Sequence, residues 1–531
     1  MKNIILIKLK MFCIKFWKNT VVNFFNIKKK YDFKGGLKCL IINQKSSNYF
    51  PTSLPLPKRF FIFIDSNIYN TKLRIKINEK VLRGQPLVFG DLFNVPIHSP
   101  TSGYIEDIFL YSSPLNKNKK NIKIVILSDY LDQWIKLKPI KNYKKYTSEQ
   151  LIKIIYQSGV VGLGGSQFSS SRKLILSINK VHTLVVNAVE SEPYITADNC
   201  LINNYMHEVL KGCEIISWIS NIKIVLIAIQ EDKSEAIAKI HNLIKNKSLF
   251  KICILKTKYP GGSSKVLIKS LIGKEIPYNK HSIDLGYLVF NVATIYAIKR
   301  AIINGEPLTE RIITFLGDAN FLSGNFWTRI GTPIKHFLTD YKNKMYIDAH
   351  VRFGGLFMGK TINDLNFSIL KSTNCISIQF KTKEDKNLIE QSCIRCGSCS
   401  DVCPVNLLPQ QLYWYSKNND HEKTKKHHIL DCIECKACEK VCPSYIPLVK
   451  YFKKEKNIVK NIQLEDVRKK ISFLRFKRRE KRLLNRKIMI DLKDVKSTNM
   501  ISIKDKKINN IKKNIRKEKV QAAIERMKFK K

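Results

Sequence analysis

The sequence predicts a multidomain α/β + β protein. It has a small all-β domain, an α/β domain around a parallel sheet, a further strand module, a cysteine-rich metal domain and a basic helical tail. Three observations carry this reading. Short β-branched runs broken by Gly and Pro fill residues 35–135. Helical stretches alternate with apolar strand runs over 136–300. Eight of the 14 cysteines lie between Cys393 and Cys442. At about 150 residues per domain the length suits three to four domains. The 44% hydrophobic content excludes a wholly disordered chain.

Lys+Arg 94 against Asp+Glu 43 gives a net charge of +51. Lysine outnumbers arginine and, with Ile and Asn, crowds every segment, as in the translation of an AT-biased coding sequence. No recognisable nucleic-acid motif accompanies the charge, so no nucleic-acid partner is expected. Residues 1–34 read as a basic N-terminal extension. Lys2, Lys8, Lys10, Lys15, Lys18 and Lys28-Lys29-Lys30 interrupt its apolar stretches, and no small-residue cleavage site follows. No stretch reaches the roughly 20 uninterrupted apolar residues of a membrane-spanning helix.

In the all-β domain, 35–135, the runs KLRIKI and KIVILS read as strands. Between them Gly84, Pro86, Gly90, Pro96, Pro100 and Gly103 break the chain too often for a helix. A G-x-P-L turn at Gly84 and a P-x-x-G-x-I hairpin at Pro100 resemble the biotinyl/lipoyl-type barrel-sandwich hybrid. The modifiable lysine of lipoyl hairpins is absent. The tip reads Ser99-Pro100-Thr101-Ser102-Gly103, so the domain is expected to be structural.

Over 136–300, helical SEQLIKIIYQSG and HEVLKGCEIISWIS alternate with the strand runs HTLVVNA, NIKIVLIAIQ and KICILK. Such alternation predicts a parallel sheet with helices on its faces. Gly159, Gly162, Gly164 and Gly165 fall between two helical stretches. Glycines let a backbone approach a phosphate with amide N–H groups pointing at it. The loop is not the Rossmann fingerprint, because no strand directly precedes it. Asn187, Glu190 and Glu192 follow HTLVVN, at the end of a parallel strand where such sheets bind ligands. Asn291 and Thr294 follow another apolar run and also suit a turn or cap.

The cysteine cluster is a duplicated C-x2-C-x2-C-x3-C-P run. This spacing is that of bacterial two-cluster ferredoxins, in which the fourth cysteine of each run ligates the other cluster. Cluster one is therefore assigned to Cys393, Cys396, Cys399 and Cys442, and cluster two to Cys432, Cys435, Cys438 and Cys403. Structural zinc prefers two separated cysteine pairs and closes at four ligands, which two identical quartets do not match. Thiolate-only ligation suits single-electron transfer. The other cysteines are scattered, so a disulfide scaffold is not expected. The tail, 451–531, holds 29 Lys/Arg and 9 Asp/Glu, a net +20, and reads as basic helices without a strong apolar stripe.

The set Gly162, Gly164, Gly165, Phe168, Lys173, Asn187, Glu190, Glu192, Pro193, Asn291 and Thr294 resembles the flavin- and NADH-binding subunit of respiratory complex I. The full order of modules resembles the C-subunit family of Rnf-type ion-translocating electron-transport complexes. The resemblance implies a complex-I-flavoprotein-like α/β domain. It also implies a soluble-ligand-binding β-grasp-like module over 301–365, ahead of a ferredoxin domain over 380–450. It implies non-covalent FMN with its phosphate on Gly162, Gly164, Gly165 and Lys173, and NAD(H) as substrate. Asn187, Glu190, Glu192, Asn291 and Thr294 would line the pocket. The implied partners are integral membrane and flavin-carrying subunits of the same complex, ferredoxin or a similar carrier, and the membrane surface. The implied place is peripheral, on the cytoplasmic face of the bacterial inner membrane. The alternative expectation is a soluble flavin/iron–sulfur dehydrogenase subunit with no ion pumping.

Overall fold

The computed structural model describes residues 30–38, 50–65, 73–91, 94–112, 120–165, 167–317, 323–338, 349–380, 389–497 and 504–528. The chain divides into two units, 1–455 and 456–531. Most of the expected N-terminal extension, 1–29, lies outside the described residues.

The first unit is built on a parallel five-stranded sheet. Its order is Lys30–Tyr31, Phe250–Leu255, Ile224–Gln230, Thr183–Ala188 and Tyr287–Asn291. The strands read as continuous apolar runs because both faces are covered. Val225, Ile227 and Ile229 point into a core shared with the helices Ser148–Gln157, Ala197–Ser220 and Val292–Lys299. Leu226 and Ala228 point the other way, against Leu267, Ile268 and Leu271 of the helix Ser264–Ile272. The edge strand Lys30–Tyr31 comes from the stretch read as N-terminal extension. It pairs with Ile254 and Leu255 and buries Tyr31 and Phe33. The sheet edge thus gains a partner for its exposed N–H groups.

The all-β domain pairs Arg59–Asp65, Lys120–Ser128, Gly103–Ser112 and Lys80–Val81 in one antiparallel sheet, with Pro86–Val88 and Ile97–His98 as a second. Phe60, Ile62, Ile64, Leu87, Ile105 and Ile124 fill its core. The described part of KLRIKI, 73–77, is not a strand. Leu73 makes one isolated bridge to Val88, and the chain turns at Asn78, whose φ is 66°. Arg59–Asp65 takes the place next to Lys120–Ser128 instead. Ser99, Thr101 and Ser102 of the hairpin tip are buried, with Ser102 Oγ donating to Asp129 at 2.6 Å. The tip is locked in place and presents no swinging arm.

The third sheet is mixed and six-stranded: Lys360–Ile362, Ala349–Phe353, Cys375–Phe380, Glu310–Leu316, Gly324–Arg329 and Thr52–Ser53. It extends past the expected boundary at 365. Cys375–Phe380 is an inner strand, antiparallel to Ala349–Phe353 and parallel to Glu310–Leu316, so the sheet would split without it. Arg83 joins the all-β domain to this sheet. It donates to Asp132 (2.9 Å) and Glu310 (3.0 Å) and lies 3.9 Å from the Trp134 ring centroid. Arg300, which follows the helix Val292–Lys299, pairs with Glu306 and Glu310 at the same junction.

The cysteine domain repeats itself every 39 residues. Arg395 and Glu434 share a φ of 58°, Gly397 and Lys436 are both left-handed, and so are Asn406 and Tyr445. The short helices Ser398–Asp401 and Ala437–Lys440 occupy equivalent places. The helix Leu448–Ser497 begins in this unit and runs into the second, where Lys504–Lys528 forms another helix. Within the second unit Lys481 pairs with Glu518 at 3.7 Å.

Candidate functional site

Val161–Ser169 is a narrow loop between the helices Ser148–Gln157 and Ser170–Ser177. The Gly162 N–H donates to the Phe168 carbonyl (2.8 Å), and the Gln167 N–H to the Gly162 carbonyl (3.2 Å). The back of the loop is pinned. The Leu163 N–H donates to Thr294 Oγ1 at 2.9 Å, and Arg311 Nη2 donates to the Leu163 carbonyl at 3.2 Å. Gly164 packs against Asn291, where a Cβ would lie 3.2 Å from the Asn291 Cβ. The front is open: Gly165 has φ +106°, and a Cβ there would meet nothing within 4 Å. A glycine held in this conformation with free space ahead suits backbone N–H contact with a phosphate. The residues present therefore fit an FMN phosphate.

Lys173 stands in the helix that follows the loop. Its Nζ donates to the Val289 carbonyl and lies 4.7 Å from the Phe290 ring centroid. Burial pushes its ammonium down to about 8. An anion beside it would favour the charged form.

Asn187 is the penultimate residue of the strand Thr183–Ala188, and its amide donates to the Gly262 carbonyl at 2.9 Å. Ser191 Oγ accepts from the Gly262 N–H at 3.2 Å, so the 259–263 loop folds over the 187–192 segment. Glu190 caps the helix Ala197–Ser220, accepting from the N–H groups of Asp198 (2.8 Å) and Asn199 (3.1 Å). Asn291 Oδ1 caps the helix Val292–Lys299 through the Ala293 N–H, while its amide donates to Asp198 at 2.5 Å. Burial, then the nearby Asp198, pushes the Glu190 carboxyl up to about 8. Burial also raises Asp198, opposed by the Asn291 hydrogen bond. Arg311, pulled down to about 10 by burial, faces both acids.

Glu192 points away from this cluster. It accepts from the Met358 N–H at 3.0 Å, with Lys436 and Lys440 of the cysteine domain nearby. The loop 354–359 is thereby tied to the segment bearing Glu190. Sequence reasoning did not single out Arg311, Lys371 or Tyr259. Lys371 donates to the carbonyls of Pro96 (3.1 Å) and Gly159 (2.7 Å), fastening the glycine loop to the all-β domain. Nothing local marks these residues: Arg311 donates to the Leu163 and Lys371 carbonyls, Lys371 to those of Pro96 and Gly159 and Tyr259 to that of Cys435, partners 60 to 275 positions away.

The structure brings the cysteines together in crossed quartets. Cys399 feels the charges of Cys393, Cys396 and Cys442, whereas Cys438 feels those of Cys432, Cys435 and Cys403. Cys403, Cys432, Cys435 and Cys438 line one cavity with Pro404, Leu407, Leu412 and Phe452. Backbone N–H groups point at sulfur: Leu407 to Cys403 (3.3 Å) and Glu434 to Cys432 (3.4 Å). Among the described residues no three His, Cys, Asp or Glu side chains gather closely enough to hold a single metal ion. A four-iron cubane is a larger body that takes one thiolate at each iron, so the donor set of four grouped cysteines fits it. Burial raises the Cys399 and Cys403 thiols and pushes Cys435 up to about 12. Ligation must displace these protons, so cluster assembly is favoured as pH rises.

Three family models match the chain. They are the RnfC barrel sandwich hybrid domain over residues 31–130, the Nuo51 FMN-binding domain over 155–300 and the 4Fe-4S dicluster domain over 392–446. The C subunit of the ion-translocating oxidoreductase complex of Buchnera aphidicola subsp. Acyrthosiphon pisum is 67% identical over 90% of this chain and 100% of its own length. The protein of the same name from Buchnera aphidicola subsp. Baizongia pistaciae is 47% identical over 81% of this chain and 85% of its own length. That of Erwinia tasmaniensis is 41% identical over 87% of this chain and 58% of its own length.

The Glu190 carboxyl, raised from 4.5 to about 8, keeps a proton in the fold that the unfolded chain has released. Its contribution is present below the unfolded value and lost as pH rises through the folded one. The natural protein should therefore lose stability between about pH 5 and pH 8, and Glu190→Gln should flatten that fall in unfolding midpoint. Equal slopes in thermal melts of the two proteins would contradict this.

Proposed function

We infer function from a family premise: the chain belongs to the C-subunit (RnfC) family of ion-translocating oxidoreductase complexes. It is an electron-transfer subunit of a membrane complex whose redox chemistry is coupled to ion translocation. Its cofactors are FMN and iron–sulfur clusters, and NAD(H) fits the flavoprotein-like domain. When bound, FMN exchanges hydride with a nicotinamide and single electrons with one-electron carriers, and a [4Fe–4S] cluster carries one electron at a time.

The single observation that carries the finer reading is the open-fronted glycine loop in one unit with two crossed cysteine quartets. In this reading Gly162, Gly164 and Gly165 offer backbone to the FMN phosphate and Lys173 supplies the cation. Asn187, Asn291 and Thr294 hold the loops that form the pocket, and Glu192 fixes the 354–359 loop at its border. Glu190, pushed up to about 8, retains its proton at neutral pH and adds no full negative charge beside a phosphate. Cys393, Cys396, Cys399 and Cys442 hold one cluster, and Cys432, Cys435, Cys438 and Cys403 the other.

The partners are integral and flavin-carrying subunits of the same complex, with ferredoxin or a similar carrier at the far end of the electron path. Among the described residues no helix is long and apolar enough to cross a membrane. This supports peripheral attachment, which we place on the cytoplasmic face of the bacterial inner membrane. The tail's net +20 adds attraction to anionic lipid, about 1 kcal/mol per basic residue near the surface.

Anaerobically purified protein should carry about eight irons and one flavin. Lys173→Met should weaken flavin affinity at least about tenfold, the loss of one charge-assisted contact of about 1.5–3 kcal/mol, while leaving iron unchanged. Full flavin in that variant would remove Lys173 from the site. Cys403→Ala should damage the cluster held by Cys432, Cys435 and Cys438, as read by electron paramagnetic resonance. Loss of the other cluster instead would overturn the crossed assignment. On membranes, deleting residues 456–531 should lower the salt concentration that releases the protein, because exposed charge is screened within about 3 Å at 1 M salt. An unchanged release curve would assign attachment to protein contacts alone.

A further inference from the structure

The second cysteine quartet is held against the nucleotide-binding domain by a small set of contacts. The segment 30–38 leaves the edge of the parallel sheet and runs to the cysteine domain. The Gly36 N–H donates to the Val402 carbonyl at 2.9 Å. Gly35, at φ +73°, lies so close that a Cβ would stand 2.7 Å from the Cys403 carbonyl oxygen. The same segment pairs with the 259–263 loop. The Leu37 N–H donates to the Tyr259 carbonyl (2.8 Å), and the Tyr259 N–H donates to the Leu37 carbonyl (2.9 Å). Lys258 Nζ anchors the segment through the Phe33 carbonyl (2.8 Å) and Asp32 (2.7 Å).

Tyr259 completes the arrangement. Its side chain is 3% exposed, and its hydroxyl donates to the Cys435 carbonyl at 2.5 Å. Its ring meets Phe357 edge-on with centroids 4.8 Å apart, in the loop that Glu192 holds. Segments from two places in the chain thus meet Cys403 and Cys435, two members of one quartet, and the 354–359 loop packs on the Tyr259 ring beside them. The first quartet has a different neighbourhood. There Tyr413 and Tyr451 both donate to Glu390 at 3.0 Å, and Tyr413 lies near Cys393 and Cys442.

We propose that Tyr259 is a positioning residue for the second quartet: its hydroxyl fixes the Cys435 loop against the nucleotide-binding domain and sets the polarity at that cluster alone. The inference rests on the reading of Cys403, Cys432, Cys435 and Cys438 as cluster ligands. The O–H dipole presents its positive end to a ligand's own carbonyl. It offsets the carbonyl's negative end, which otherwise disfavours the electron-rich reduced cluster. Hydrogen bonds around the ligands are among the means by which a protein tunes such clusters.

The test is a redox titration of the anaerobically purified full chain followed by electron paramagnetic resonance, comparing the natural protein with Tyr259→Phe and Tyr451→Phe. Tyr259→Phe keeps the ring and the backbone pairing with Leu37 and removes one donor. The expected result is a downward shift of one cluster's midpoint potential. It corresponds to about a threefold lower reduced-to-oxidised ratio at fixed potential, or roughly 28 mV at 59 mV per decade for one electron. The other cluster, the iron content and the flavin stay as in the natural protein. Tyr451→Phe should leave the second cluster's potential unchanged. Amide hydrogen exchange of the 432–438 segment should also rise in Tyr259→Phe and not in Tyr451→Phe. Unchanged potentials and exchange in Tyr259→Phe would overturn the proposal, as would equal shifts of both clusters. Fewer than about eight irons in the natural protein would instead sink the ligand reading itself.

Discussion

A single buried guanidinium organises the candidate site. Arg311 donates to the carbonyls of Leu163, in the glycine loop, and of Lys371, which itself grips Gly159. It also faces Asp198 and Glu190. A buried cation without partners would be costly, so the glycine loop, the mixed sheet and the acidic segment must meet where Arg311 can satisfy itself. Fixing the back of the loop leaves its front, at Gly165, open. The acids are arranged so that their charge is limited. Burial favours the protonated form of Glu190, and Asp198 accepts from Asn291. In the proposed reading the FMN phosphate meets this pinned backbone, with Lys173, whose charged form an anion would favour, as its cation.

The modules around that pocket are joined by charge and by close backbone approach. Arg83, Asp132, Glu310, Arg329 and Arg300 form one ionic junction between the all-β domain, the α/β domain and the mixed sheet. The barrel-sandwich hairpin tip, which in lipoyl domains is a free arm, is buried here and serves that packing. The cysteine domain is organised differently. Its 39-residue repeat gives each quartet the same wrapping backbone, with left-handed residues at matching places. The repeat also crosses the fourth cysteines, since Cys403 and Cys442 each end a run and reach the other quartet.

Much of this was legible in the sequence. The duplicated cysteine spacing, the glycine loop between helices and the strand that carries Asn187 near its end are local patterns, and each reports local geometry. The strand runs HTLVVNA, NIKIVLIAIQ and KICILK announce the parallel sheet because two-sided burial demands uninterrupted apolar residues. What was not legible depends on distant pairing. Lys30–Tyr31 is too short to announce a strand and becomes one only beside Ile254 and Leu255. KLRIKI has strand composition, but Arg59–Asp65 wins the pairing. Cys375–Phe380 joins a sheet that composition alone would end earlier. The E-x-E motif marks both acids equally, yet Glu190 caps a helix while Glu192 turns to the Met358 N–H. Arg311, Lys371 and Tyr259 act through partners far away in sequence, which no local pattern records.

The account stands or falls on one chain carrying a two-electron flavin together with two one-electron clusters. An anaerobic titration with dithionite, counted by absorbance until no further change, measures this directly. About four electrons per chain are expected, two for the flavin and one for each cluster. An end point at two electrons or fewer would contradict the account.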